Sequence, residues 1–208
     1  MTRLFKEVFY GGLSFIVFDG VYEPAEDTFL LARNLSVSFG DRVLDVGTGC
    51  GILAVLAALK ASYVLAIDIN PHAVRCAREN AHRNGVLDKI DFICCNLLSP
   101  LRRRQMFDLI VFNAPYLPEE GEPRSWLERA WYGGVDGRKV IESFLESFSD
   151  YLKPGGRLLL VQSSLSDVEK TMLMLRGMGY DAKVADVAES FFETITLISA
   201  IKLDVEPH

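Results

Sequence analysis

The sequence is poor in the residues that bind metals or cross-link a chain. Its 208 residues include three histidines and four cysteines, and no two cysteines are spaced as Cys-x-x-Cys. A zinc site is therefore not expected within the chain, because structural zinc sites are built from closely spaced cysteines and histidines. We expect the cysteines to be reduced core thiols rather than disulfides; they are Cys50, Cys76, Cys94 and Cys95.

Long apolar segments are also missing. Charged or small polar residues interrupt every apolar run before it reaches about eighteen residues, the length needed for a membrane-spanning helix. Residues 1–7 lack the apolar core that is typical of a signal peptide. Together with the reduced cysteines, these absences predict a cytoplasmic protein with no membrane segment.

Basic charge is in short supply. The chain has 22 Lys and Arg against 28 Asp and Glu, which gives a net charge of −6. Enzymes that act directly on nucleic acid usually carry a basic surface, so the balance argues against a direct nucleic-acid substrate. The one basic cluster is residues 102–104, and a solvated loop is favoured over a binding surface there.

Strand-length apolar runs alternate with helix-length segments over most of the chain. This alternation is typical of an α/β fold whose parallel sheet is covered on both faces. The predicted strands are 42–46, 63–69, 90–94, 109–112, 157–161, 180–187 and 194–203, and the predicted helices are 52–60, 70–84, 138–152 and 167–177. No linker or repeat interrupts the pattern, so residues 1–208 are predicted to form one domain that binds its ligand beyond the carboxyl ends of the strands.

A glycine-rich turn joins the first predicted strand to its helix. It reads Asp45-Val46-Gly47-Thr48-Gly49-Cys50-Gly51. The glycines would let the backbone approach a ligand closely. Asp45 would lie near a positively charged ligand end, whereas the related Gly-x-Gly-x-x-Gly pattern suits a pyrophosphate. The alternative is a structural turn with no ligand.

The next strand ends in a second carboxylate. Asp68 follows Asp45 by twenty-three residues, a placement from which an acidic side chain can accept hydrogen bonds from both hydroxyls of a ribose. The alternative role is to cap the following helix, but Asn70 is the better-placed cap. We therefore predict that Asp68 binds a ribose.

The strand 109–112 leads into the turn Asn113-Ala114-Pro115-Tyr116. Pro115 stiffens the backbone and biases Ala114 toward an extended conformation. The Asn113 side-chain oxygen and the Ala114 carbonyl can then accept the two N–H groups of a planar nitrogen, while Tyr116 stacks on it. The alternative is that Asn113 only caps a turn. Residues 119–129, the longest irregular stretch, follow directly and are predicted to form a substrate lid.

These two motifs, with two further segments, resemble the HemK-like protein-glutamine methyltransferases. The further segments are Val21-Tyr22-Glu23-Pro24-Ala25-Glu26-Asp27-Thr28 and Trp131-Tyr132-Gly133-Gly134-Val135-Asp136-Gly137. The resemblance extends over residues 21–201 and is strongest to the archaeal and eukaryotic branch, which modifies the class I translation release factor. Ala114 stands where the family usually has its first proline. Asn96 stands where it usually has an aspartate.

The resemblance implies a fold, a reaction and a partner. The fold would be a Rossmann-like class I methyltransferase with a seven-stranded, mostly parallel sheet and an antiparallel last strand. The reaction would be N5-methylation of the glutamine in a Gly-Gly-Gln motif, with S-adenosylmethionine as cofactor. A small zinc-binding activator protein would cover an apolar edge of the sheet, and residues 1–30 would form an extension that closes over the cofactor.

The resemblance also assigns site residues. Asn113, Ala114, Pro115 and Tyr116 would be catalytic. The cofactor would be bound by Thr28, Asp45, Gly47, Gly49, Asp68, Asn96, Leu97 and Asn113, with the Asn96 amide oxygen near the adenine amino group.

Other reactions fit the same turn. A nucleic-acid N6-adenine or N2-guanine methyltransferase also presents acceptors to a planar exocyclic amine, but the acidic balance, the loop 133–137 and the segment 22–28 favour a protein substrate. Lysine methylation is a further possibility on a protein. A non-enzymatic scaffold that binds the cofactor is disfavoured by the intact turn at Asn113–Tyr116.

Overall fold

A computed structural model describes residues 5–190 and 192–203 of the chain. The strands are β1 (Phe5–Tyr10), β2 (Leu13–Phe18), β3 (Arg42–Val46), β4 (Tyr63–Asp68), β5 (Ile90–Cys94), β6 (Phe107–Asn113), β7 (Leu152–Ser163), β8 (Tyr180–Glu189) and β9 (Thr194–Lys202). The helices are α1 (Glu26–Asn34), α2 (Ile52–Ala58), α3 (Pro71–Arg83), α4 (Trp126–Arg129), α5 (Lys139–Leu145) and α6 (Val168–Gly177).

Seven of these strands form the central sheet, in the order β5-β4-β3-β6-β7-β9-β8. Neighbours from β5 to β7 pair in parallel, and β9 is antiparallel to both β7 and β8. Because helices cover both faces, β3 and β6 are almost wholly buried. This is the mostly parallel α/β sheet with an antiparallel last strand that the sequence predicts.

The strand order reverses between β3 and β6. Starting from β3, the chain adds β4 and β5 on one side of the sheet, whereas β6 and β7 lie on the other. The connections that follow β3 and β6 therefore leave in opposite directions, and a crevice opens between them. Val46 pairs with Phe112 beside this crevice, so the glycine turn and the Asn113 turn start next to each other.

One predicted helix is wrong in its C-terminal half. The helix predicted for 138–152 ends at Leu145, a 3-10 turn follows at Phe148–Asp150, and β7 begins at Leu152. The cause is burial and pairing: Phe148 stacks on Phe144 with ring centroids 5.1 Å apart, and the Tyr151 carbonyl accepts the backbone N–H groups of Met106 and Phe107. The tighter turn lets the chain enter the sheet at once.

Residues 153–156, Lys-Pro-Gly-Gly, separate the predicted helix 138–152 from the predicted strand 157–161, but in the structure they lie inside β7. Leu152 pairs with Phe107, and Arg157 pairs with Leu109 only two residues further along β6. Residues 153–156 are therefore looped out as a bulge, so the strand begins earlier than the predicted 157–161.

An N-terminal hairpin of β1 and β2 was not predicted. It is tied to the domain by Asn80 of α3, whose side chain is fully buried. The Asn80 Oδ1 accepts the Ile16 N–H at 2.8 Å, and its Nδ2 donates to the carbonyls of Ile16 at 2.7 Å and Cys50 at 2.8 Å. One amide therefore joins the hairpin, α3 and the glycine turn. Residues 1–4, part of the predicted extension 1–30, lie outside the described residues.

The cysteines differ in their surroundings. All four are free thiols, as predicted, and Cys50 and Cys76 are buried. Cys94 is exposed and Cys95 is half-buried, so the prediction of core thiols was wrong for Cys94. It ends β5, which is an edge strand with a neighbour on one side only. Residues 102–104 are exposed in a loop, as predicted.

In the part of the chain that the structure describes, no helix has both the length and the apolar character needed to cross a membrane.

Gly51 shows why the turn after β3 needs its last glycine. Its φ is +84°, and a Cβ built there would lie 2.7 Å from the Ala77 Cβ and 2.8 Å from the Ala77 Cα. This glycine therefore lets α2 pack against α3, whereas Gly47 and Gly49 face the crevice.

We expect Gly51→Ala to be strongly destabilising. The left-handed backbone costs an alanine about 1–2 kcal/mol, and overpacking against α3 adds about 1–3 kcal/mol. Gly40→Ala is the matched control, because Gly40 has a φ of +92° and open space around its Cβ position. Urea denaturation measures the free energy of unfolding of both variants. Gly51→Ala should lose more of it than Gly40→Ala, and the difference should equal the overpacking cost. Equal losses in the two variants would contradict this explanation.

Candidate functional site

A cavity of about 520 Å³ occupies the crevice beyond the carboxyl ends of the parallel strands. Its walls come from the turns that follow β3, β4, β5 and β6, together with residues 22–28 at the start of α1. Of the eleven site residues predicted from the sequence, ten line this cavity: Thr28, Gly47, Gly49, Asp68, Asn96, Leu97, Asn113, Ala114, Pro115 and Tyr116. Asp45 is the exception.

Asp68 lies at the end of β4 with both carboxylate oxygens engaged by backbone. Its Oδ2 accepts the Gly49 N–H at 2.9 Å and its Oδ1 accepts the Asn70 N–H at 2.8 Å. Each oxygen keeps a second lone pair for a ligand hydroxyl. The helix cap is Asn70, whose Oδ1 accepts the His72 N–H at 2.9 Å. Asp68 is therefore held rigidly against the glycine turn, and its contact with a ribose remains a prediction.

Asp45 lies beneath the cavity and is fully buried. Thr48, which does line the cavity, donates its hydroxyl to Asp45 Oδ2 at 2.7 Å, while Asp45 Oδ1 has no hydrogen-bond partner. Burial raises the pKa of the Asp45 carboxyl to about 7; the Thr48 hydrogen bond opposes this rise and the charge of Asp68 adds to it. An uncompensated carboxylate below the glycine turn favours a cationic group above it.

Asn96 and Leu97 follow β5 and lie at the cavity wall. The Leu97 backbone has a φ of +47°, a conformation that is uncommon for a residue with a branched side chain. Such strain is found at ligand sites, where the surrounding structure imposes it. Both residues line the cavity as predicted, and their contact with an adenine remains a prediction.

The Asn113 amide is oriented by a carboxylate that the sequence did not reveal as a site residue. Asn113 Nδ2 donates to Asp27 Oδ2 at 3.0 Å and to Thr28 Oγ1 at 3.2 Å. Because a carboxylate only accepts hydrogen bonds, the NH₂ end of Asn113 must face Asp27. The opposite atom, Asn113 Oδ1, is buried and has no partner. Asn113 Oδ1 is therefore an acceptor that no described group uses, and its contact with a substrate nitrogen remains a prediction.

Asp27 collects further donors around the same oxygen. Its Oδ2 also accepts the hydroxyls of Tyr22 at 3.0 Å and Tyr116 at 3.3 Å, and its Oδ1 accepts the Thr28 N–H at 2.6 Å. Burial, followed by the charge of Asp27, raises the pKa of both tyrosines well above the usual value. The tyrosines are therefore neutral donors, and Asp27 fixes Asn113 and Tyr116 relative to α1.

The glycine loop 133–137 supports the Asn113 turn from behind. Leu117 exchanges backbone hydrogen bonds with this region, donating to the Trp131 carbonyl and accepting from the Gly133 N–H, both at 2.9 Å. A Cβ on Gly137 would lie 2.3 Å from the Tyr116 carbonyl oxygen. The glycines therefore allow a close backbone contact that holds Tyr116 in place. This loop is a structural support for the site.

The outer rim of the cavity comes from the connection between β6 and α5. Residues 119–129, predicted as an irregular lid, end in the short helix α4. Trp126 lies under the Arg129 guanidinium, which is 5.8 Å from the ring centroid, and Lys139 Nζ is 3.5 Å from Glu122 Oε1. All four side chains line the cavity, so this connection contributes an aromatic and charged entrance.

The sequence analysis did not assign several residues of the site. Asp27, Tyr22 and Thr48 stand within or beside motifs that it did identify, so their positions carried a signal. Glu193, which precedes β9, also lines the cavity, and no motif surrounds it. Among the described residues, no group of three or more His, Cys, Asp or Glu side chains is placed to hold a metal ion.

The residues present fit S-adenosylmethionine. The glycine turn leaves room for a ligand, Asp68 has lone pairs for ribose hydroxyls, and Asp45 offers an unpaired acceptor below a cationic end. The cavity continues past these residues to Asn113 and the rim. It therefore has room for a second, acceptor group beside the cofactor.

Comparisons with known proteins place the chain among methyltransferases. Residues 29–114 match the family model of the ribosomal protein L11 methyltransferase, PrmA. A protein N5-glutamine methyltransferase of Methanocaldococcus jannaschii is 38% identical over 186 residues, which cover 88% of this chain and 92% of that protein. Methyltransferase HEMK2 of Homo sapiens is 32% identical over 210 residues, covering 95% of this chain and 97% of that protein.

The structural comparison agrees with these relatives. The structure of the E. cuniculi Mtq2–Trm112 complex, which is responsible for methylation of the eRF1 translation termination factor, matches with a TM-score of 0.70 and 25% identity. The match covers 88% of this chain and 99% of that chain. The fold is therefore that of a class I methyltransferase, as the sequence predicts.

The buried Asp45 carboxyl should make stability depend on pH. A carboxyl whose pKa rises from 3.8 to about 7 on folding is favoured in its neutral form by the folded chain, while the unfolded chain ionises near pH 4. Below about pH 4 the Asp45 carboxyl therefore does not change the free energy of unfolding. Between about pH 4 and pH 7 it lowers that free energy increasingly.

Asp45→Asn is expected to stabilise the ligand-free chain at pH 8 by up to roughly 4 kcal/mol, at about 1.4 kcal/mol per pKa unit, and by much less at pH 4.5. Urea denaturation at the two pH values measures the difference. Asp88→Asn, at an exposed position, is the control and should show no such pH dependence. A larger gain at pH 4.5 than at pH 8 would refute the assignment.

Proposed function

This chain belongs to the protein N5-glutamine methyltransferase family, and we propose that its substrate is the glutamine of a Gly-Gly-Gln motif in a class I translation release factor. The observation that carries the proposal is the buried, unpartnered Oδ1 of Asn113 at the cavity wall. A primary amide supplies the N–H donors that such an acceptor needs. The bound S-adenosylmethionine supplies an electrophilic methyl group.

The residues of the cofactor half are proposed to hold S-adenosylmethionine in a fixed orientation. Asp68 accepts the ribose hydroxyls, Asn96 and Leu97 lie against the adenine, and Gly47 and Gly49 leave space for the chain of the ligand. Thr28 and Asp45 lie toward its methionine end. Because Asp68 and Gly49 are already joined by a hydrogen bond, this half of the site is preorganised.

The residues of the acceptor half are proposed to align the substrate amide. An amide nitrogen is a weak nucleophile, because its lone pair is delocalised into the carbonyl. Asn113 Oδ1 and the Ala114 carbonyl accept its two N–H groups and so direct the lone pair toward the methyl group. Tyr116 stacks on the amide plane and excludes water. Catalysis rests on this positioning, and the proton lost from the nitrogen passes to solvent.

Asp27 acts through Asn113 rather than on the substrate. It accepts the NH₂ end of the Asn113 side chain and thereby keeps Oδ1 directed at the acceptor position. The two tyrosine hydroxyls that donate to the same carboxylate offset its burial. Asp27 is therefore a positioning residue, which fixes the amide orientation before the substrate arrives.

Two segments are proposed to act as lids over the site. Residues 1–30 are proposed to close over the cofactor; among the described ones, Tyr22 and residues 24–28 line the cavity. Residues 119–129 are proposed to close over the substrate, with Trp126 and Arg129 of α4 in contact with the segment that carries the glutamine.

A small zinc-binding activator is proposed as a partner. The support is the neighbour Mtq2, which was solved in complex with Trm112. The corresponding surface would be an edge of the sheet, and β5 is an edge strand whose last residue, Cys94, is exposed.

The function is tested by mass spectrometry of a release factor from a related archaeal or eukaryotic source. The factor is incubated with the chain and S-adenosylmethionine, with and without a co-expressed activator, and the Gly-Gly-Gln peptide is then analysed. We expect one added methyl group on the glutamine side chain, and a faster reaction with the activator. A factor in which this glutamine is replaced by asparagine is the control. Methylation only at other residues, or none under either condition, would refute the proposal.

The orienting role of Asp27 is tested by Asp27→Asn. The new amide can keep its Oδ1 toward the Thr28 N–H, so its NH₂ would face Asn113 and favour rotation of that side chain. We expect turnover to fall by at least about tenfold, compared with about a hundredfold or more for Asn113→Ala, the scale of losing one oriented polar group in a transition state.

Cofactor affinity, measured by calorimetry, should change by less than about threefold in both variants, because the loss falls on the transition state. Asp186→Asn is the control, since Asp186 ties α1 to β8 through Arg33 and Asn34 away from the cavity. Normal turnover in Asp27→Asn would show that the carboxylate does not orient Asn113.

A further inference from the structure

Glu193 is a half-buried residue whose carboxylate the reaction described so far does not use. It lies in the turn between β8 and β9 and lines the cavity together with Ser190 and Ile195. Its Oε2 atom is shielded from solvent and has no hydrogen-bond partner. An unpaired buried acceptor is costly to the folded chain, and a charged one more so. The free Oε2 of Glu193 at the wall of a ligand cavity can accept a hydrogen bond from a donor outside the chain.

The nearby hydroxyls do not supply that donor. The negative charge of Glu193 contributes to the raised pKa values of Tyr22 and Tyr116, after burial and the charge of Asp27. Glu193 therefore faces the same part of the cavity as these two side chains. Both hydroxyls already donate to Asp27 Oδ2, and each has one proton to give.

The turn that carries Glu193 is held firmly. The Ser190 N–H donates to the Glu193 carbonyl at 2.9 Å, and the Thr194 N–H donates to Ser164 Oγ at 3.0 Å. The Thr194 hydroxyl donates to Glu189 Oε2 at 3.2 Å. These bonds hold the backbone of Ser190, Glu193 and Thr194 next to the residues that follow β7. The backbone that carries the Glu193 side chain is therefore fixed without a ligand.

Strand order assigns Glu193 to the substrate side. Most of the residues proposed to hold the cofactor lie at the ends of β3, β4 and β5 or just after them, whereas Asn113 ends β6. Glu193 directly precedes β9, which lies beyond β7 on the opposite side of β6. Since β9 is antiparallel to β7, its N-terminal end reaches the same edge of the sheet as Asn113. The acceptor position therefore lies between the cofactor and Glu193.

We propose that Glu193 is a substrate-binding residue, whose Oε2 accepts a main-chain N–H of the segment that carries the target glutamine. The inference rests on the proposed function. The two N–H groups of the target amide already have acceptors in Asn113 and Ala114, so the remaining donors of the substrate are main-chain groups. Glycine neighbours expose these N–H groups without a side chain to obstruct the approach of a carboxylate.

The test is the steady-state kinetics of Glu193→Gln and Glu193→Ala on an intact release factor. A charge-assisted hydrogen bond to substrate is lost in both variants, so kcat/KM should fall by roughly tenfold or more, mainly through a raised KM. Cofactor affinity should stay within about twofold. The thermal midpoint of the substrate-free chain should stay the same or rise, because an unpaired buried acceptor has been neutralised or removed.

Asp181→Asn is the control, because Asp181 lies in the same β8–β9 hairpin, is exposed, and pairs with Ile201 far from the turn that carries Glu193. It should leave the kinetics unchanged. A kcat/KM within twofold of wild type in Glu193→Ala would overturn the inference. So would a lowered thermal midpoint or a loss of cofactor affinity, because either would assign Glu193 to the fold or to the cofactor. Failure of the wild-type chain to methylate the factor would instead refute the proposed function, and this inference with it.

Discussion

The site depends on one buried ion in the first turn of α1. Asp27 accepts five donors from two segments of the chain: the Tyr22 hydroxyl with the Thr28 N–H and hydroxyl, and the Asn113 amide with the Tyr116 hydroxyl. Without these donors, burial of the Asp27 carboxylate would destabilise the folded chain. With them, it locks the N-terminal segment onto the end of β6. The same bonds leave Asn113 Oδ1 without a partner, so the interaction that closes the fold at this point also sets the orientation of the Asn113 amide.

The rest of the architecture brings the partners of this carboxylate together. The reversal of strand order places the turns after β3 and β6 on two sides of one crevice. Gly51 lets α2 approach α3 closely on one side, and Gly137 lets the loop after α4 contact the Tyr116 carbonyl on the other. Each glycine removes a clash with a specific neighbour. The ligand-facing surface can therefore be fixed by close backbone packing.

Local patterns predicted the sheet and most of the cavity lining. The strands 42–46 and 90–94 have the predicted bounds, and the helix at 70–84 has its predicted Asn70 cap, because burial and capping are local signals. Two kinds of feature were not predictable in this way. The end of α5 depends on the packing of Phe148 and on pairing with β6, and the N-terminal hairpin depends on Asn80, sixty-four residues from Ile16. The role of Asp27 depends on Asn113, eighty-six residues away. Such contacts leave no periodicity in the sequence.

The three hydrogen bonds of Asn80 have a consequence for exchange of backbone amide hydrogens. The Ile16 N–H is bonded to the Asn80 side chain, and the same side chain is bonded to the Cys50 carbonyl in the glycine turn. Opening that frees the Ile16 amide must therefore disturb the floor of the cavity, and a ligand that stiffens the floor must slow this opening. In deuterated water, the Ile16 amide of the hairpin should thus exchange more slowly when a ligand occupies the cavity, although the hairpin does not contact the ligand. The slower exchange at Ile16 would be transmitted by the Asn80 side chain alone, with no movement of the sheet.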